Sequence, residues 1–70
     1  MPDGIYKVVE LVGSSEESVS KAIDRAIAKA AVTLRHLGWF EVTNVRGHIE
    51  NGKVAHYQVT IKAGFRLEDD

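Results

Sequence analysis

From Ala55 to Leu67 the chain alternates without a break. Ala55, Tyr57, Val59, Ile61, Ala63, Phe65 and Leu67 are separated by His56, Gln58, Thr60, Lys62, Gly64 and Arg66. Successive side chains of a strand point to opposite faces, so this run predicts a strand with one apolar and one polar face. Ile5–Val12 is rich in β-branched residues and predicts a first strand that Gly13 ends. Ile5, Val9 and Leu11 share one of its faces with Lys7; Tyr6, Val8 and Val12 share the other with Glu10. Both faces should therefore be covered. After Gly13, Ser14-Ser15-Glu16-Glu17 reads as a helix start, with Ser14 and Glu17 at capping-box spacing and two carboxylates near the positive end of the helix dipole. Apolar residues then recur at Val19, Ala22, Ile23, Ala26, Ile27, Ala30, Leu34 and Leu37, the spacing of a helix lying on a sheet. Arg35 and His36 suit its negative end, and Gly38 its stop. Its many alanines would let it lie close to the sheet.

Trp39–Glu50 predicts the second strand, and Asn51-Gly52 is a strong two-residue hairpin signal. With that turn the register follows: Glu50 faces Lys53, Ile49 Val54, Gly47 His56, Val45 Gln58, Thr43 Thr60, Glu41 Lys62 and Trp39 Gly64. On the other face Val42 meets Ile61 and Phe40 meets Ala63, and these belong with the helix in the core. The prediction is an α+β fold, β-α-β-β, with one three-stranded antiparallel sheet in order 1-3-2 and the helix on one face. A right-handed crossover is expected.

Composition narrows the function. At 70 residues this is one small domain, 1–70, with a marginal core and no cysteine to staple it, so association with further copies is the obvious source of added stability. A net charge of -1 argues against nucleic acid. No run nears the ~20 apolar residues that span a bilayer, and Met1-Pro2-Asp3-Gly4 lacks the character of a signal peptide. The expected setting is the cytoplasm, without a membrane partner. The acidic tail Glu68-Asp69-Asp70 reads as a solvated end.

Candidate chemistry lies on the face that one helix leaves bare. The expected register puts Trp39, Glu41, Thr43, Val45, Ile49, Gln58, Thr60 and Lys62 there. A tryptophan on a semi-polar open face marks an oligomer contact or a stacking platform, and sequence alone favours the oligomer contact. Gly64 across from it leaves room for a flat object or a neighbouring subunit. Gln58 offers an amide donor and acceptor to a pyrimidine-like edge, though a glutamine there is more often just a polar residue on an exposed strand face. His48 and His56 lack metal-ligand spacing. The carboxylates form no acid–base pair and the serines lie far from any base, so catalysis by side chains is not expected.

The chain resembles the dodecin family of small flavin-binding proteins. The resemblance is carried by Tyr6 to Ser15, by Thr33-Leu34-Arg35 leading into Trp39-Phe40-Glu41-Val42, by Arg46-Gly47-His48-Ile49, by Tyr57-Gln58-Val59-Thr60, and by Gly64 to Asp69. It implies a hollow homododecamer in which paired flavins lie near two-fold axes, each ring stacked between its partner and a tryptophan, here Trp39. The glutamine that bonds the ring edge would be Gln58. The bacterial branch implies FMN, with Arg46 as its arginine. Coenzyme A is a further possible ligand, with Lys7, Lys29 and Arg66 as weaker phosphate contacts. The function implied is non-enzymatic flavin storage, buffering and photoprotective quenching. The alternatives are a self-assembling module without flavin and, ranked last, a flavin-dependent redox enzyme. In the expected register Arg46 faces Tyr57 on the helix side. Either it lies beyond the helix end and reaches a neighbouring subunit's ligand, or a bulge shifts the register near Gly47.

Overall fold

Asn51 and Gly52 take φ of 52° and 75°, the left-handed pair that a two-residue hairpin turn requires. They join β2 (Leu37–Glu50) to β3 (Lys53–Arg66); β1 (Tyr6–Ser15) and α1 (Val19–Ala30) precede them. The computed structural model describes residues 4–67, so Met1-Pro2-Asp3 and the acidic tail Glu68-Asp69-Asp70 lie outside the described residues. The strands form one antiparallel sheet in the order β1-β3-β2, as the patterning predicts. The helix packs on β1 and β3.

The junction between β1 and α1 differs from expectation. β1 runs through Gly13 to Ser15, with Ser14 facing Gln58 and Ser15 facing Tyr57, so neither serine caps the helix. Ser18 does so. Its backbone is extended and its Oγ accepts from the Lys21 amide at 3.0 Å. The buried Ser15 Oγ accepts from the Glu17 amide at 2.9 Å and turns the chain out of the strand. Gly13 does not end the strand. It faces the helix, and a Cβ there would run into the Ala22 carbonyl oxygen and lie 3.0 Å from Ala26 Cβ. This contact, with the alanines of α1, sets how closely helix and sheet approach.

The helix also stops earlier than its apolar spacing suggests. It ends at Ala30, and the amides of Val32, Thr33 and Leu34 fold back onto the carbonyls of Lys29 and Ala30 at 3.3, 3.2 and 2.9 Å. Leu34, Arg35, His36 and Leu37 therefore lie outside it, and Lys29 is the basic residue of its last turn. The reason is topological. β2 must begin on the far side of β3, so the chain has to leave the helix to cross over. The β-branched pair Val32-Thr33 gives up little helix propensity there. Gly38 lies within β2, at a register irregularity, and is no helix stop.

Ala22, Val59 and Ile61 form the buried centre, packed by Leu11, Val19, Ile23, Ala26 and Ile27. Phe40 and Val42, expected in this core, are 48% and 40% exposed because the helix does not extend over β2. Length compounds this. A helix of 12 residues spans about 18 Å, whereas each 14-residue arm of the hairpin spans about 46 Å. Val45, Ile49 and Val54 extend past the helix, and on the other face Tyr6, Val8 and Val12 of β1 are exposed as well. One protomer thus leaves apolar positions of both faces uncovered. That is the surface of a chain built to associate. No helix among the described residues is long and apolar enough to cross a membrane.

Candidate functional site

The open face of the sheet is laid out in rungs across the strands. Val8, Gly64 and Trp39 form one, Glu10, Lys62 and Glu41 the next, then Val12, Thr60 and Asn44, then Ser14, Gln58 and Arg46, and finally His56 and His48. Alternation places these opposite Val59, Ile61 and Ala63, which are buried under the helix. One end of the face carries the indole and Val8 with Tyr6 and Arg66 a rung further on, and the other end is polar and carries Arg46 and the two histidines.

At the apolar end the Trp39 indole lies flat over Gly64. A Cβ on Gly64 would collide with the indole's Cε2 and Cζ2 and lie 2.7 Å from Nε1. Gly64 thus seats the indole rather than holding a gap open for something else. The indole remains 46% exposed, with Val8 across Gly64 on β1 also 46% exposed and Tyr6 a rung further on. It is an aromatic surface supported from beneath and open above.

The polar end depends on two bulges. The expected register holds at both ends of the hairpin: Glu50 faces Lys53 and Ile49 Val54, and Val42 faces Ile61, Glu41 Lys62, Phe40 Ala63 and Trp39 Gly64. Between them, from Asn44 facing Thr60 to His48 facing His56, the pairing is displaced by one residue. The window opens at a bulge that takes up Thr43, whose Oγ1 donates to the Thr60 carbonyl at 3.2 Å. It closes at a second that takes up Ala55. Three expectations fall with this displacement. Val45 faces Val59 on the helix side, not Gln58 on the open side; Gly47 faces Tyr57, not His56; and Thr43 does not pair with Thr60. Ile49, which alternates with His48, also lies on the helix side.

Arg46 gains most from the displacement. It faces Gln58, and its Nε donates to Asn44 Oδ1 at 3.2 Å on the same strand face. Of the two routes open to it from sequence, the bulge is the one this fold takes. The structure thus brings Arg46 and Gln58 together and sets Trp39 on the same face at a distance. Gly64 to Gln58 along β3 is about 20 Å at ~3.3 Å per residue. A single three-ring heterocycle does not bridge that span within one protomer. Lys7 faces Phe65 on the helix side, and Lys29 lines an apolar groove there with Val9 and Leu11. Arg66, across from Tyr6, is on the open face one rung beyond Gly64, at the Trp39 end, and does not join them.

Sequence reasoning missed Asn44 as the partner of Arg46 and Thr43 as a bulge residue, because neither carries a signal beyond being polar. It also gave no role to His48 and His56, whose rings stack at a centroid distance of 5.5 Å and an interplanar angle of 20°. Among the described residues no group of three or more His, Cys, Asp or Glu could hold a metal.

A family model, Dodecin, matches residues 5–68. A dodecin of Thermus thermophilus is 55% identical over 65 residues, covering 93% of this chain and 94% of its own length. Among solved structures, dodecin from Streptomyces coelicolor aligns with a TM-score of 0.92 at 53% identity over 100% of both chains. Dodecin from Streptomyces davaonensis aligns at 0.90 and 48% identity, over 96% of this chain and 98% of its own.

Proposed function

The chain belongs to the dodecin family, and on that premise we propose that it binds and sequesters flavin, FMN foremost, between copies of itself in the cytoplasm. The observation that carries this reading is the pair of groups that the open face presents at its two ends. A supported, upward-facing indole lies at one end, and a carboxamide beside a guanidinium lies at the other. A flavin has the same layout, with a planar apolar ring system, a pyrimidine edge that donates and accepts hydrogen bonds, and, in FMN, a phosphate.

The span of about 20 Å between the two ends dictates how the site closes. Two protomers with their open faces opposed and their strands antiparallel bring the Trp39 end of one against the Gln58–Arg46 end of the other. Each ring then stacks on an indole from one copy and meets carboxamide and guanidinium from the second, and the two-fold relation makes such sites in pairs. The exposed Val8, Val12 and Tyr6 are buried by the same step. The homododecameric shell of the family supplies this arrangement and also covers the hairpin arms that a single protomer leaves bare.

Binding is driven by removal of planar aromatic area from water and is oriented by a few directed bonds. Gln58 fixes the ring edge, and Arg46, held by Asn44, meets the phosphate. Electron transfer from the indole to an excited flavin would quench its fluorescence and limit photochemistry, which suits storage and protection rather than turnover. Rings stacked on both faces leave no place for a substrate. For coenzyme A, Lys7 and Lys29 offer phosphate contacts on the helix side, and Arg66 would contribute only from another copy. The test is a fluorescence titration of the assembled protein with FMN. Wild type should bind and darken the flavin, while Trp39→Ala should lose the quenching and bind orders of magnitude more weakly. Identical curves for the two proteins would eliminate the stacking site.

A further inference from the structure

His48 and His56 lie on separate strands with the hairpin turn between them. In the undisplaced count His56 faces Gly47, and His48 points to the other side of the sheet. The displacement between the two bulges sets the histidines on one rung of the open face. Their rings lie parallel to within 20°, with centroids 5.5 Å apart. Any two aromatic side chains could supply such a stack. What imidazoles add is nitrogen lone pairs, and neutral imidazole is the commonest metal ligand among side chains.

The separation suits a shared ion. With metal–nitrogen bonds of about 2.0–2.1 Å at near-tetrahedral angles, two imidazoles on one Zn2+ hold their ring centres about 5 Å apart. The rings need only pivot through the broad terminal torsion of histidine. Glu50 supports the pair without being a ligand. Its Oε2 lies 3.4 Å from His48 Nε2, placed to take that N–H and leave Nδ1 for the metal. Carboxylates commonly fix the tautomer and orientation of metal-binding imidazoles in this way. Lys53 faces Glu50 in the register, but the contact that Glu50 makes is with His48. The surroundings do not oppose a cation. Arg46, a rung away, is turned toward Asn44, on the far side from His48. The cleft that His56 borders carries Glu16 and Glu17 beside Lys21 and Arg25. The His48 side chain is 56% exposed, so an ion reaches it from solvent.

We propose that His48 and His56 form a two-imidazole site for a divalent transition metal, which clamps β2 to β3 at the closing end of the displaced window. No third ligand joins them among the described residues, so water fills the other positions and the ion exchanges. Such a site favours Cu2+ over Ni2+ and Zn2+, and leaves Mg2+ and Ca2+ to oxygen ligands. It uses neither Trp39, Gln58 nor Arg46 and does not depend on how flavin binds.

The test is a calorimetric titration of the untagged, flavin-free assembled protein with Cu2+, Zn2+ and Mg2+ at about pH 8. Cu2+ and Zn2+ should each bind at one ion per protomer, Cu2+ more tightly, and Mg2+ should not bind. Electron paramagnetic resonance of the Cu2+ form should show coupling to two imidazole nitrogens. His48→Phe and His56→Phe, which keep a pair of stacked rings, should each lose the site. Glu50→Gln should bind about tenfold more weakly. His36→Asn is the control, since asparagine tolerates the φ of 64° found there, and it should bind as wild type does. Zn2+ should also raise the unfolding midpoint of wild type and not that of His56→Phe. Equal affinity in wild type and His56→Phe would overturn the proposal, as would loss of binding in His36→Asn alone. One ion per two protomers would mean that imidazoles of different copies share it, which ends the cross-strand clamp. Should neither Phe variant assemble, Glu50→Gln and the resonance spectrum decide: unchanged affinity, or coupling to a single nitrogen, refutes the site.

Discussion

Gly64→Ala adds one methyl group beneath the indole and tests whether the seat of Trp39 matters. Gly52 is the glycine with a positive φ, so Gly64 has a backbone that alanine also adopts. The substitution therefore gains roughly 0.4–1 kcal/mol by restricting the unfolded chain. Against this stands the collision of the new Cβ with Cε2 and Cζ2 of Trp39, where overpacking in a closed core would cost about 1–3 kcal/mol. The indole is 46% exposed and can swing away, so much of that strain relaxes. The net change in folding stability should stay within about 1 kcal/mol. The stacking surface, however, is displaced, and an aromatic stack of this kind is worth roughly 1–3 kcal/mol. FMN affinity should then drop by about 5-fold to 150-fold, with bright residual flavin fluorescence. Thermal unfolding, read beside a fluorescence titration at matched protomer concentration, separates the two effects, since stability of an assembly depends on that concentration. Wild-type affinity and quenching in Gly64→Ala would refute the idea that the indole must lie flat on the sheet. A loss of stability above about 3 kcal/mol would show instead that Gly64 is a packing residue first.

Gln58→Ala should weaken FMN and riboflavin alike by about 1–3 kcal/mol, because the carboxamide meets the ring edge and not the phosphate; an effect on FMN alone would reassign it. Gly13→Ala should destabilise the protomer by about 1–3 kcal/mol or more, since the new Cβ meets the backbone carbonyl of Ala22 rather than a side chain able to turn away. A denaturation midpoint equal to wild type would mean that the helix shifts freely on β1. Ile61→Ala, at the fully buried centre of the sheet, should cost about 2–5 kcal/mol, and chemical denaturation yielding less than the lower figure would place the stabilising core elsewhere.

Local patterning was enough to establish the strands, the turn and the order of the sheet. Period-two alternation in β3 and the Asn51-Gly52 pair are signals carried by neighbouring residues, and the pairing of Trp39 with Gly64 followed from counting back from the turn. The same counting failed between Asn44 and His48. A bulge is a compromise between the two faces of a sheet, and no residue inside it announces it; the awkward position of Arg46 was the single hint. The helix ends were misjudged for a related reason. Ser14 has a capping side chain and Leu34 the right spacing, but pairing with Gln58 claims the first, and the crossover to β2 removes the second. The sequence by itself thus determined which residues alternate and turn, because those preferences act over a few residues. Tertiary structure decided where Arg46 points, what Gly13 and Gly64 are for, and how much of β2 stays bare. Each of those depends on atoms brought close by the fold from far along the chain.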